Sequence, residues 1–116
     1  MSLPTSKPHK AGVVGVGSAL VDQLAFVSEE FLTGIHGGKG GMELIDYEEM
    51  AELLGRLPEI PYRVPGGSAA NTITGLAKLG MKAGLLTKVG DDDAGAYYRE
   101  ALAAAGVDEH AFKLSS

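Results

Sequence analysis

Residues 66–95 read GGSAANTITGLAKLGMKAGLLTKVGDDDAG. Two glycines turn the chain, and Ser68 stands where a helix N-cap belongs. In the helix that follows, Ala69, Ile73, Leu76 and Ala77 form one apolar stripe, and Gly80 is placed to end it as a C′ glycine. AGLLTKV at 83–89 is apolar, short and bounded by glycine, as a buried strand is. Asp91 to Asp93 open a second helix, which runs to about Ala105 before Gly106. Carboxylates at that end suit the positive pole of the helix dipole. Helix, strand and helix in this rhythm predict parallel βαβ units.

The flanks extend the pattern on both sides. AFKL at 111–114 begins a further strand, and GVVGVG at 12–17 is a buried strand entering a loop. VDQLAFV at 21–27 reads as extended, GIHGGKGG at 34–41 as a flexible turn, and IPYRVP at 60–65 as an extended edge, since two prolines exclude a helix. Between them Asp46 and Glu49 make a capping box, followed by Met50, Leu53, Leu54 and Leu57 at helical spacing and a stop at Pro58. Residues of about 23–65 thus interrupt the alternation, as an inserted lid would. Residues 1–10 read as a loose, disordered tail, and 11–116 as one α/β domain with a mostly parallel sheet. Such a sheet needs more strands than this, so the reading is of the N-terminal part of a larger fold.

The totals exclude several functions. With 116 residues, 45% apolar and 22% charged, the chain can bury a core. A net charge of −5 without a basic cluster argues against nucleic-acid or anionic-membrane partners. No run approaches the roughly 20 apolar residues of a membrane span. The absence of cysteine removes disulfides and thiolate metal sites. A cytoplasmic protein is expected. Seventeen glycines imply tight turns and close backbone approach to something.

The chemistry concentrates at the double glycine. A helix N-terminus of small residues offers free N–H groups and a positive dipole end to electron-rich ligand atoms. Ala69 and Ala70 leave room beside the backbone, and Asn71 in the first turn can donate and accept. Taken alone, a Gly-Gly turn before an Ala-rich helix explains the stretch as well.

GGSAAN at 66–71, then Gly80, then GDDDAG from Gly90, resembles in content and spacing the N-terminal signature of the PfkB-family carbohydrate kinases, which include ribokinase, fructokinase and adenosine kinase. GVGSALVD at 15–22 is similar to that family's first strand and the loop carrying a substrate-binding aspartate. One departure is Ile73, where the family places a small residue. The resemblance implies a ribokinase-like, Rossmann-type three-layer fold with a β-rich lid, in which Asp22, Gly66, Gly67 and Asn71 bind the acceptor and Ser18 and Ser68 add polar contacts. By itself Asp22 reads as a strand-end turn residue. Beside GGSAAN it is expected to be a buried carboxylate accepting from vicinal hydroxyls in charge-assisted bonds.

The implied reaction moves the γ-phosphoryl of ATP, with Mg²⁺, to a hydroxyl of a sugar or nucleoside. The family's base aspartate lies in a Gly-Ala-Gly-Asp motif near its C-terminal end, and DDAG here is not that motif. No catalytic residue is therefore assigned, ATP and Mg²⁺ are expected to be bound mainly elsewhere, and these residues alone are expected to be inactive. KGGMELIDYEE at 39–49 resembles lid segments of bacterial relatives of adenosine kinase, which favours an adenosine- or ribose-like acceptor over a ribokinase or fructokinase type. A binding-only module is the other class left open. The lid's open edge makes a homodimer through the lid an option.

Three other patterns carry nothing. Gly15 and Gly17 fit G-x-G, but Leu20 replaces the third glycine and Asp22 comes too soon for a dinucleotide fold. GGKGG at 37–41 lacks the Ser or Thr of a phosphate-binding loop. Asp91, Asp92 and Asp93 are consecutive and do not converge on a metal, and His9, His36 and His110 are scattered.

Overall fold

The computed structural model describes residues 12–115. Nine elements follow in chain order: β1 (Val13–Val16), β2 (Leu20–Leu24), α1 (Glu29–Thr33), α2 (Tyr47–Arg56), β3 (Tyr62–Gly66), α3 (Ser68–Lys78), β4 (Ala83–Gly90), α4 (Asp93–Ala104) and β5 (Phe112–Ser115). The fold is mixed α/β with a parallel sheet, as the glycine-punctuated rhythm predicts. The tail expected over residues 1–10 lies outside the described residues.

The chain divides into two compact units, one formed by the residues up to Asp22 with those from Pro65 onward, the other by Gln23–Val64. In the first unit β4 lies between β1 and β5, parallel to both, with Gly15 opposite Leu85 and Thr87 opposite Phe112. Alternate residues of β4 are buried: Ala83, Leu85, Thr87 and Val89. They face α3, which packs on β1 and β4, and α4, which packs on β4. The core comprises Ala70, Ile73, Ala83, Leu85, Val89, Tyr98, Leu102 and Val107. Gly15 makes room for the unusual Ile73, since a Cβ there would lie 2.7 Å from Ile73 Cγ1. On the opposite face of the sheet Val14, Val16 and Leu86 are exposed.

The helix ends follow the sequence closely. Asp92, outside α4, accepts from Gly95 N–H at 2.8 Å. Gly80 and Gly106 adopt positive φ after α3 and α4. Ser68 is not a cap: it is the first residue of α3, and Gly67 takes the N-cap position with φ +97° and no side-chain hydrogen bond. A chain turn that needs this φ selects glycine over serine.

In the second unit the capping box is present, with Glu49 N–H donating to Asp46 Oδ1 at 2.8 Å. The unit also holds a helix that the sequence did not reveal. α1 is capped by Ser28, whose Oγ accepts from Phe31 N–H at 3.2 Å. The Arg56 guanidinium sits 5.7 Å from the centre of the Phe31 ring and donates to Gly34 O. β2 and β3 pair in a two-stranded sheet.

Candidate functional site

β2 and the β3–α3 turn bring the predicted residues together in two contacts. Asp22, in the middle of β2, lies against Gly66, the last residue of β3: a Cβ on Gly66 would come within 2.5 Å of Asp22 Oδ2. Ser18, in the turn between β1 and β2, lies against Gly67, where a Cβ would come within 2.7 Å of the Ser18 carbonyl oxygen. Gly67 is therefore required by its positive φ and by close approach of the Ser18 backbone, whereas at Gly66 the neighbour is the Asp22 carboxylate, a side-chain end that can rotate. Asn71 follows one turn into α3, its N–H bonded to Gly67 O at 2.9 Å and its side chain exposed. Ser68 is exposed beside it.

Two expectations need correction. Asp22 is exposed rather than buried. Its position on a two-stranded sheet leaves one side open to solvent, so bonds to it are worth less than those of a sequestered carboxylate. Ala70 does not leave room for a ligand: it is buried in the core, while Ala69 approaches Gly17, where a Cβ would lie 2.7 Å from Ala69 Cβ. The small residues of α3 serve its close packing on the β1–β2 turn.

Sequence reasoning missed Tyr98. It stands on the buried face of α4 with Gly95 and Leu102, and its hydroxyl donates to Gly66 O at 3.1 Å. Burial pushes the phenol above its ordinary 10.0, partly offset by a backbone hydrogen bond from Leu20. Nearby, a cavity of about 210 Å³ is lined by Ala19, Val21, Val89, Asp92, Gly95 and Tyr98 among others. Nothing in YYRE distinguishes one tyrosine from the other, and only the i, i+3, i+7 relation to Gly95 and Leu102 hinted which faces inward.

Metal chemistry finds no donor set at this site. Among the described residues no group of three or more His, Asp or Glu side chains could hold a metal ion. Asp92 is engaged as the α4 cap, and Asp108 pairs with His110. No described residue is assigned to Mg²⁺, and no step is derived through it.

The sequence pattern of the pfkB family carbohydrate kinases matches residues 41–115. The chain belongs to this family. The pfkB match takes in Gly66, Gly67, Ser68 and Asn71, while Ser18 and Asp22 precede it. Among solved structures, an adenosine kinase from Sinorhizobium meliloti superposes with a TM-score of 0.70 at 33% identity, over 92% of this chain and 31% of that one. An ATP-dependent ribose-1-phosphate kinase from Halopiger xanaduensis is 56% identical over 43 residues, which is 37% of this chain and 14% of the relative. A fructokinase from Escherichia coli is 44% identical over 55 residues, 45% of this chain and 18% of the relative. The chain spans under a third of the length of these pfkB relatives. No helix among the described residues is long and apolar enough to cross a membrane.

Proposed function

We propose that these residues form the acceptor-binding part of an ATP-dependent kinase that phosphorylates a hydroxyl of a sugar or nucleoside. The observation that carries this reading is the Asp22 carboxylate set against Gly66, at the turn where Gly67 opens α3. A carboxylate accepts from acceptor hydroxyls, and the N–H groups of the first helical turn donate to acceptor oxygens. Asn71, Ser18 and Ser68 supply neutral partners around them. ATP and Mg²⁺ belong to this reading through the family, held by groups outside the described site, and the 116 residues alone bind without turnover. In this reading residues of about 23–65 serve as a lid hinged near Gly66 and Gly67, excluding water from the transfer. Its uncovered strand edge gives a second copy a place to pair, and a cytoplasmic setting suits a kinase of small metabolites.

An adenosine- or ribose-like acceptor is favoured, because likeness to the Sinorhizobium adenosine kinase extends over 92% of the chain. A sugar acceptor of the fructokinase type is the second reading, supported by the shorter Escherichia coli match. Calorimetric titration of adenosine, ribose and fructose onto the chain separates them. We expect adenosine or ribose to bind more tightly than fructose. Asp22→Asn should weaken that binding roughly tenfold, the low end for a charge-assisted bond at an exposed carboxylate, and Asn71→Ala by roughly threefold. Both variants should melt as the parent does. Unchanged affinity in Asp22→Asn would remove the centre of the site.

A further inference from the structure

Six candidate acceptor-binding residues lie on two short stretches that are far apart in sequence, 18–22 and 66–71. Something must hold these stretches in register, and the strand pairing of β2 with β3 is a two-stranded ribbon, the least self-sufficient kind of sheet. Tyr98 meets both. Its hydroxyl donates to the Gly66 carbonyl at 3.1 Å, and the backbone of Leu20 lies close enough to the same hydroxyl to lower its pKa. The hydroxyl thus bonds the end of β3 and lies beside the start of β2, where Ala19 and Val21 line one cavity with Tyr98.

We infer that Tyr98 is a positioning residue for the acceptor site, its hydroxyl clasping Leu20 and Gly66 so that Asp22 and the Gly67–Asn71 turn keep one mutual arrangement. The inference rests on the acceptor-site reading above. The peptide geometry gives the clasp its leverage. In a trans peptide the C=O and the next N–H point in opposite directions. Holding the Gly66 carbonyl toward α4 therefore aims the Gly67 N–H away from α4. Without a clasp this glycine pair has wide conformational freedom. The ring cannot swing away, because Tyr98 is 1% exposed and Phe112 packs beside it with ring centroids 6.3 Å apart. The phenol is protonated, and so a donor, throughout the neutral range, as a tyrosine is even at its ordinary 10.0. The hydroxyl touches no reacting atom; it acts through Gly66 and Leu20.

Tyr98→Phe tests this, since it keeps the ring and removes only the clasp. Amide hydrogen exchange of the 116-residue chain should quicken roughly 3- to 10-fold at Leu20 and Gly67, the worth of one ordinary hydrogen bond, beyond any change at Leu85 and Leu102 in the core. A merely structural role would move all four amides by the same factor. Adenosine or ribose affinity should fall by a similar 3- to 10-fold. Exchange at Leu20 and Gly67 that tracks the core would overturn the clasp. So would faster exchange at those amides with unaltered acceptor affinity, in a chain where Asp22→Asn does impair binding. If the parent chain binds none of the acceptors, the function reading fails on its own, and the exchange pattern still decides whether Tyr98 orders the two stretches.

Discussion

Thr87 is buried to 6% exposure on the core face of β4, between Leu85 and Val89, and its Oγ1 has no hydrogen-bond partner among the described residues. A buried hydroxyl without a partner costs about 1–3 kcal/mol of desolvation, whereas an apolar group of the same shape costs none. Thr87→Val keeps the β-branch that suits a strand and places a methyl group where the hydroxyl sits. We expect a gain of about 1 kcal/mol, which in a domain of this size raises Tm by roughly 4 °C or more. A melting curve checks it, and a lower Tm would mean that an ordered water partners the hydroxyl. The sequence reading carried no warning here, because a Thr in AGLLTKV fits a half-buried strand on either face. Asp22 shows the complementary case. Its identity as a site candidate was legible from GVGSALVD beside GGSAAN, but its exposure was not, since exposure depends on what lies over β2 rather than on β2 itself.

At the scale of elements, α3 contains a glycine with no structural duty and follows one that has two. A Cβ on Gly75 would meet nothing within 4 Å among the described residues, and the residue lies inside α3. Gly75→Ala removes backbone freedom from the unfolded chain and should stabilise by about 0.5–1 kcal/mol. Gly67 has φ +97°, and a Cβ there would stand 2.7 Å from Ser18 O. Gly67→Ala should cost about 1–3 kcal/mol in backbone strain, with the clash added. Urea denaturation of the two variants, compared by midpoint at unchanged slope, should therefore shift in opposite directions. Equal shifts would show that the turn relaxes. Local signals of this kind were largely readable: the Asp46–Glu49 box, the Asp92 cap, and Gly80 and Gly106 as terminators all act within four residues of themselves. The five-residue α1 escaped because EEFLT is too short to show a period. The place of β4 between β1 and β5, and the reach of Tyr98 to Gly66, escaped because they join residues dozens of positions apart.

For the molecule as a whole, two titrating groups tie folding to pH from opposite ends. Asp108 joins the turn after α4 to β4: its N–H donates to Ala83 O at 2.9 Å, and its carboxylate accepts from His110 N–H at 2.9 Å and contacts the His110 ring. The His110 backbone bond is the main cause that holds this carboxyl below its ordinary 3.8, with the ring contact second. An acid whose value is depressed on folding adds stability above its unfolded pKa. That stability is lost as pH falls through the folded value, where the native state must take up the proton last. Tyr98 has the reverse sign. Its value is raised by burial, so the unfolded chain gives up the phenolic proton first as pH climbs past 10.0. Over that window the unfolded state binds fewer protons than the native state, and stability falls with rising pH until the folded value is passed. Unfolding free energy measured by urea from about pH 3 to about pH 11 should thus decline at both ends. Asp108→Asn should lessen the acid decline and leave the alkaline one. Tyr98→Phe should lower stability at neutral pH, by loss of the bond to Gly66, yet flatten the slope above pH 10.0. The slope rather than the level is decisive, because a cavity or packing defect shifts stability at every pH alike. An alkaline slope in Tyr98→Phe as steep as in the parent would mean that the phenol gives up its proton alike in both states, and that its burial does not bear on the alkaline limit of the fold.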